Sequence, residues 1–129
     1  MPPNNTLLHR ALAWNAGFSG LSAIVMTVGA AWLAPQLGLT GPLPIYVVAG
    51  CLAVFALQLG NIVRTRDYRH WEISSIIAGD LAWVAASAIL VAMYFERLTL
   101  TGLLIVDAVA LVVLAFAIQQ IRGLRLLHN

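Results

Sequence analysis

The chain has no lysine, and its charged residues amount to only 9% of 129 positions. Soluble domains carry about 25% charge, and so few ionised groups cannot cover a water-soluble fold of this length. Basic residues are restricted to seven arginines against five acids, a formal charge of +2. No basic stripe forms, so nucleic-acid binding is excluded. Cys51 is the single cysteine, which excludes an intramolecular disulfide and a thiolate metal cluster. Of the three histidines, His9 and His70 flank apolar segments and His128 is next to the last residue, so no facing pair is in place to ligate a haem between helices. His-Glu-x-x-His and Gly-rich phosphate-loop motifs are absent. Ser74 and Ser75 have no histidine partner inside the membrane to form a triad. Neither catalysis nor any metal or cofactor is expected.

What the chain does have is apolar length, at 61% hydrophobic residues. A hydrocarbon core about 30 Å thick needs roughly 20 apolar residues in a helix. Four stretches meet that need: residues 11–34, 43–63, 73–95 and 98–121. Between them lie a Pro- and Gly-rich connection at 35–42, a charged segment at 64–72 and a tight turn at Glu96-Arg97, all places where helices stop. The expected fold is therefore an all-α integral membrane protein, a single four-transmembrane-helix bundle over residues 1–129. Val28-Gly29-Ala30 has the small-residue form of a signal-peptidase site. The apolar run before it is long for a signal peptide and follows a single arginine, so a retained span is expected.

Arginine placement sets the expected orientation. Arg10, Arg64, Arg66, Arg69, Arg122 and Arg125 fall on one side, and only Arg97 falls on the other. The positive-inside rule makes the first side cytoplasmic, with both termini inside, in a bacterial-type cytoplasmic (inner) membrane. Trp14, Tyr68 and Trp71 mark one interface and Trp32, Tyr46 and Tyr94 the other; Trp83 is the exception, near the middle of its span. A parallel two-plus-two helix repeat is suggested by Leu12-Ala13-Trp14 against Leu81-Ala82-Trp83 and by Phe55-Ala56-Leu57-Gln58 against Phe116-Ala117-Ile118-Gln119. Short matches of this kind also arise from composition in a chain so rich in Leu, Ala and Phe.

Close helix approach in lipid relies on small residues. Ser74, Ala78, Ala82 and Ala86 recur at four-residue spacing in the third span, with Ala49, Ala53, Ala56 and Gly60 in the second. Both rows are expected to face neighbouring helices in the bundle or, failing that, a second subunit. Polar residues inside spans are costlier: an acid adds about 2.5–3.5 kcal/mol on insertion scales, so it normally faces the bundle interior or a wet cavity. Asp80 and Asp107 are the two intramembrane acids. Trp83 lies three positions after Asp80 and shares its face, where the indole N–H is a donor suited to the carboxylate. Asn15, Ser19, Gln58 and Asn61 fall in the same half of the bundle as Asp80. With Trp83 and Asp107 they make a candidate polar cavity, open to the cytoplasm, in which a small molecule binds. The competing reading is a hydrogen-bond network that only fixes packing.

Phe95-Glu96-Arg97-Leu98, just before the last span, is similar to the approach to the fourth helix in small multidrug transporters, which also have four spans. Their first-helix glutamate has no counterpart here, since the first span holds no acid, and their proline- and tryptophan-rich third-segment pattern is absent. No membership of that family follows. The function expected from the sequence is therefore that of a small non-catalytic membrane protein. It would act as a small oligomer or as an accessory subunit of a larger membrane complex, with lipids, its own copies or another membrane protein as partners. The alternative is a proton-coupled carrier or membrane-embedded ligand-binding protein using Asp80 and Asp107.

Overall fold

The structure, a computed structural model, describes residues 4–128, with side chains described for 6–126. It is all-helical over that range: α1 Asn4–Val28, α2 Ala30–Gln36, α3 Leu43–Thr65, α4 His70–Tyr94 and α5 Leu100–His128. Four of these helices contain stretches long and apolar enough to cross a membrane, Thr6–Val28, Leu43–Thr65, His70–Tyr94 and Leu100–Leu126. The chain is thus a multi-pass membrane protein in outline. Met1 and Asn129, the termini expected on the cytoplasmic side, lie outside the described residues.

The helix boundaries depart from the hydropathy pattern where specific contacts override it. The first span was expected over 11–34, but α1 begins at Asn4, because Leu8 is fully buried against other helices. At Gly29 the backbone turns to φ −98°, ψ 12°, and the helix bends before α2. Gly29 still donates to the Val25 carbonyl at 2.8 Å and accepts from Leu33 at 2.9 Å, so this is a glycine kink rather than a break. After Pro35 the chain leaves α2 through Gly38 at φ +71°, a left-handed conformation that glycine adopts without strain. A side chain there would run into the Arg97 backbone.

The turn expected at Glu96-Arg97 is longer. Residues 95–99 connect α4 to α5, because Thr99 caps α5, its Oγ1 accepting the Gly102 N–H at 3.0 Å. Thr99 also donates its backbone N–H to the Gln36 carbonyl at 3.1 Å and its hydroxyl to Gln36 Oε1 at 2.7 Å. These bonds tie the end of α2 to the start of α5. The segment between α3 and α4 contracts to 66–69: Arg66 takes the left-handed conformation at φ 56° and its N–H closes the last turn of α3 on Ile62.

In section the helices run α3, α1, α5, α4, each packed antiparallel on the next. At the arginine-rich end Leu8 and Leu12 of α1, Leu59 and Ile62 of α3, and Ile73 and Ile76 of α4 form one buried cluster. That cluster draws α3 and α4 together there. Phe55 beside Gly79 marks how far this contact reaches. Beyond that level α3 rests on α1 and α4 on α5, with a gap between the two outer helices. At the opposite end Ala30, Ala34 and Ile45 pack α2 onto the start of α3.

The small-residue rows do not sit where their spacing suggested. Ala78, Ala82 and Ala86 are exposed on the outside of α4 and only Ser74 is half-buried; in the second row Ala49 is buried and Ala56 half-buried while Ala53 and Gly60 are exposed. Close approach comes instead from single glycines. A Cβ on Gly123 would lie 2.8 Å from the Leu8 backbone, and one on Gly102 would fall on the Gln36 carbonyl.

Candidate functional site

Three helices converge on Asp80. In α1, Asn15 and Ser19 are one turn apart and therefore share a face. Asp80 is the inward residue that follows Ile73, Ile76 and Ile77 along α4. Gln120 follows Val113 and Ala117 on the buried face of α5, at spacings of four and three. The Asn15 amide donates to Asp80 Oδ2 at 2.8 Å and to Gln120 Oε1 at 2.9 Å. Gln120 Nε2 donates to the same Asp80 oxygen at 2.8 Å, and Ser19 Oγ donates to Asn15 Oδ1 at 3.2 Å. All four side chains are at most 4% exposed. The carboxyl group is held by neutral amide donors, a closed three-residue ring that satisfies buried polar atoms between α1, α4 and α5.

Above this ring lies the gap between α3 and α4, a cleft of about 840 Å³. Its floor is formed by Ser19, Asp80 and Trp83, and its walls by aliphatic and aromatic side chains from all five helices. Volume and lining match a small-molecule site, which is typically a mostly apolar concavity with a few polar groups. The cleft was expected to open toward the cytoplasm. Instead the Leu8–Ile76 cluster closes it at the arginine-rich end, and it extends to the far end, where Leu33, Leu37 and Leu39 line it. The physical reason is that the longest apolar side chains of α1, α3 and α4 meet below Asp80, while the kink at Gly29 carries α2 aside above it.

Of the residues expected in a polar cavity, Asn15, Ser19 and Asp80 are brought together, and Trp83 lines the cleft beside them. Gln58, Asn61 and Asp107 are not part of it, and all three are exposed on outer faces. Asn61 Oδ1 accepts from Arg64 at 3.0 Å near the end of α3. Trp83 does not satisfy the carboxylate: its Nε1 is buried without a hydrogen-bond partner. Ser87, one turn further on, spends its hydroxyl on the Trp83 carbonyl at 2.8 Å. Gln120, at the inner end of the last span, is not among the residues expected in the cavity. Its phase with Val113 and Ala117, against half-buried Gln119, is the signal that distinguishes it. Cys51 is exposed on α3 and lines the cleft wall.

Outside the spans, the Tyr68 hydroxyl lies 2.6 Å from His9 Nδ1 and pins the 66–69 connection to α1. Burial raises the Tyr68 pKa above its ordinary 10.0, with Arg66 pulling it back, so the phenol keeps its proton at neutral pH and can donate to a neutral imidazole. Family models, curated proteins and solved structures show no match to this chain, and the cleft with its buried carboxyl group remains the feature from which a function is drawn.

Proposed function

We propose that the chain is a non-catalytic membrane protein that holds a small apolar molecule in the cleft between α3 and α4. One observation carries this reading: about 840 Å³ of mostly apolar space, floored by a carboxyl group whose Oδ2 accepts two amide hydrogen bonds. A structural network alone has no need of separated outer helices, since helix pairs in lipid gain stability from close packing. The network holds α1, α4 and α5 in register and leaves α3 and α4 apart. As a carrier, the protein would use Asp80 alone, because Asp107 lies on another face.

In this reading the chain sits in a bacterial-type inner membrane with the arginine-rich end and both termini in the cytoplasm, as the positive-inside rule requires. The packing of α1 on α3 and of α4 on α5 supports two helix pairs of common origin. The test is saturable binding of decylbenzene to the purified protein in mild detergent, read as a rise in unfolding temperature. Wild type should be stabilised, and Val48→Trp with Val106→Trp, which fills the cleft from two walls, should lose the effect. Absence of saturable binding to wild type overturns the reading.

A second reading, that the protein works as a small oligomer, has its own support. Leu100, Leu104, Asp107, Leu111, Leu114 and Ile118 recur at four- and three-residue spacing along α5, all exposed except half-buried Leu114. This is the seam pattern of paired helices, in which one central polar residue sets register. The proposed occupant is a second copy: a two-fold axis along the membrane normal places each Asp107 opposite its counterpart at equal depth, and a carboxylic acid both donates and accepts. Mass determination in mild detergent should give a dimer for wild type and a monomer for Asp107→Ala. A monomeric wild type overturns self-association and leaves the seam to another membrane protein, for which the chain would be an accessory subunit.

A further inference from the structure

The polar groups around the cleft floor can be accounted for one by one. Both N–H bonds of the Asn15 amide are used on Asp80 and Gln120, and the Ser19 hydroxyl is used on Asn15. Gln120 Nε2 is used on Asp80, and the Ser87 hydroxyl on the Trp83 carbonyl. Asp80 is 3% exposed, and its Oδ2 already accepts two bonds. Among the fully buried polar atoms, what remains is the indole N–H of Trp83. Among the described residues it is the only buried side-chain nitrogen or oxygen without a hydrogen-bond partner, and Trp83 lines the cleft. An indole N–H only donates, and a donor left unpaired away from water costs stability that an acceptor would restore.

Resting on the binding reading above, we propose that the ligand of the cleft is a neutral, largely apolar molecule carrying a carbonyl oxygen, which accepts the Trp83 indole N–H while the rest of the molecule lies along the aliphatic walls. Two membrane-soluble sources offer this chemistry: the ester carbonyl of an acyl lipid and the ring carbonyl of an alkylated quinone. Each pairs an acceptor oxygen with a hydrocarbon portion suited to walls lined by residues such as Val48, Leu52, Leu90, Ile105 and Val109.

The experiment compares three probes of similar alkyl length on the purified protein in detergent: decylbenzene, a decyl-substituted benzoquinone and a medium-chain monoacylglycerol. Affinities are taken from the concentration dependence of the unfolding temperature. Wild type should bind at least one carbonyl probe about fivefold more tightly than decylbenzene, the value of one ordinary hydrogen bond. Which carbonyl probe shows the preference identifies the source. Trp83→Phe keeps the ring and removes the donor, so it should bind all three probes with the affinity of the hydrocarbon. Equal binding of all three by wild type overturns the carbonyl assignment while leaving the cleft a binding site, and that comparison needs no variant to fold. A carbonyl preference that persists in Trp83→Phe also overturns it. Failure of wild type to bind any probe defeats the underlying reading instead.

Discussion

Gly123→Ala is expected to destabilise the folded bundle by about 3 kcal/mol, the upper range for forcing extra volume into a packed contact. The added methyl carbon would lie 2.8 Å from the N, Cα and Cβ atoms of Leu8. Two of these are backbone atoms, so no rotamer change relieves the clash and α1 must move away from α5. That movement also opens the cluster that closes the cleft, because Leu8 is part of it. Gly102→Ala should be comparably damaging, since its methyl group would fall on the Gln36 carbonyl that accepts the Thr99 N–H. Gly50→Ala and Gly60→Ala are the controls. Both positions are helical with open space around them, and alanine there should be neutral or stabilising by about 0.5 kcal/mol. Ala82→Leu, on the exposed face of α4, should change stability by less than about 0.5 kcal/mol. Unfolding temperatures of the purified variants in one detergent check the series. Gly123→Ala melting with Gly50→Ala would show that α1 and α5 are not in backbone contact at this point.

That contrast shows how far the sequence could be read. Number and approximate position of the spans follow from hydropathy, because lipid imposes one length requirement on every crossing helix. The packing faces do not follow so directly. In water a buried stripe differs from an exposed one in polarity, but here the outward faces meet lipid and are as apolar as the interior. Ala78, Ala82 and Ala86 therefore looked like a contact stripe by spacing and lie outside, whereas Gly123, in a polar-looking tail with Arg122 and Arg125, makes the close approach. Polar residues carried more of the tertiary information. Asn15, Ser19 and Asp80 were legible because burying them elsewhere than between helices would leave them unsatisfied. Gln58 and Asn61 near the end of α3 gave a false signal, since a polar residue close to a helix end reaches water without facing inward. The cleft itself had no sequence signature: it exists because the α1–α3 and α4–α5 pairs join at one end only, a property of the assembled bundle.

Asn15→Leu, nearly the same size as the residue it replaces, should cost about 3 kcal/mol, because it removes one of the two amide donors to Asp80 Oδ2 and the partner of both Gln120 Oε1 and Ser19 Oγ. Hydrogen bonds to charged groups contribute roughly 1.5–3 kcal/mol, and leaving a partner buried and unsatisfied adds to the loss. Average interhelical bonds in membranes are worth only about 0.6 kcal/mol, but that average describes single neutral pairs with alternative partners nearby. Here one side chain connects three helices through bonds to Asp80, Gln120 and Ser19. Gln120→Leu should cost about 2 kcal/mol, since Asn15 still holds the carboxyl group. Gln58→Leu, on an exposed face, should have almost no effect. Replacing Asn15, Asp80 and Gln120 together by leucine should recover much of the single-variant loss, because no buried polar atom of the ring is then left without a partner. Thermal unfolding in detergent measures all four variants, and Asn15→Leu melting with Gln58→Leu would refute the ring as a structural element. Decylbenzene binding then separates structure from function in the same samples. If the ring only sets the spacing of α1, α4 and α5, the triple variant should retain the cleft and its hydrocarbon affinity, with any carbonyl preference still governed by Trp83.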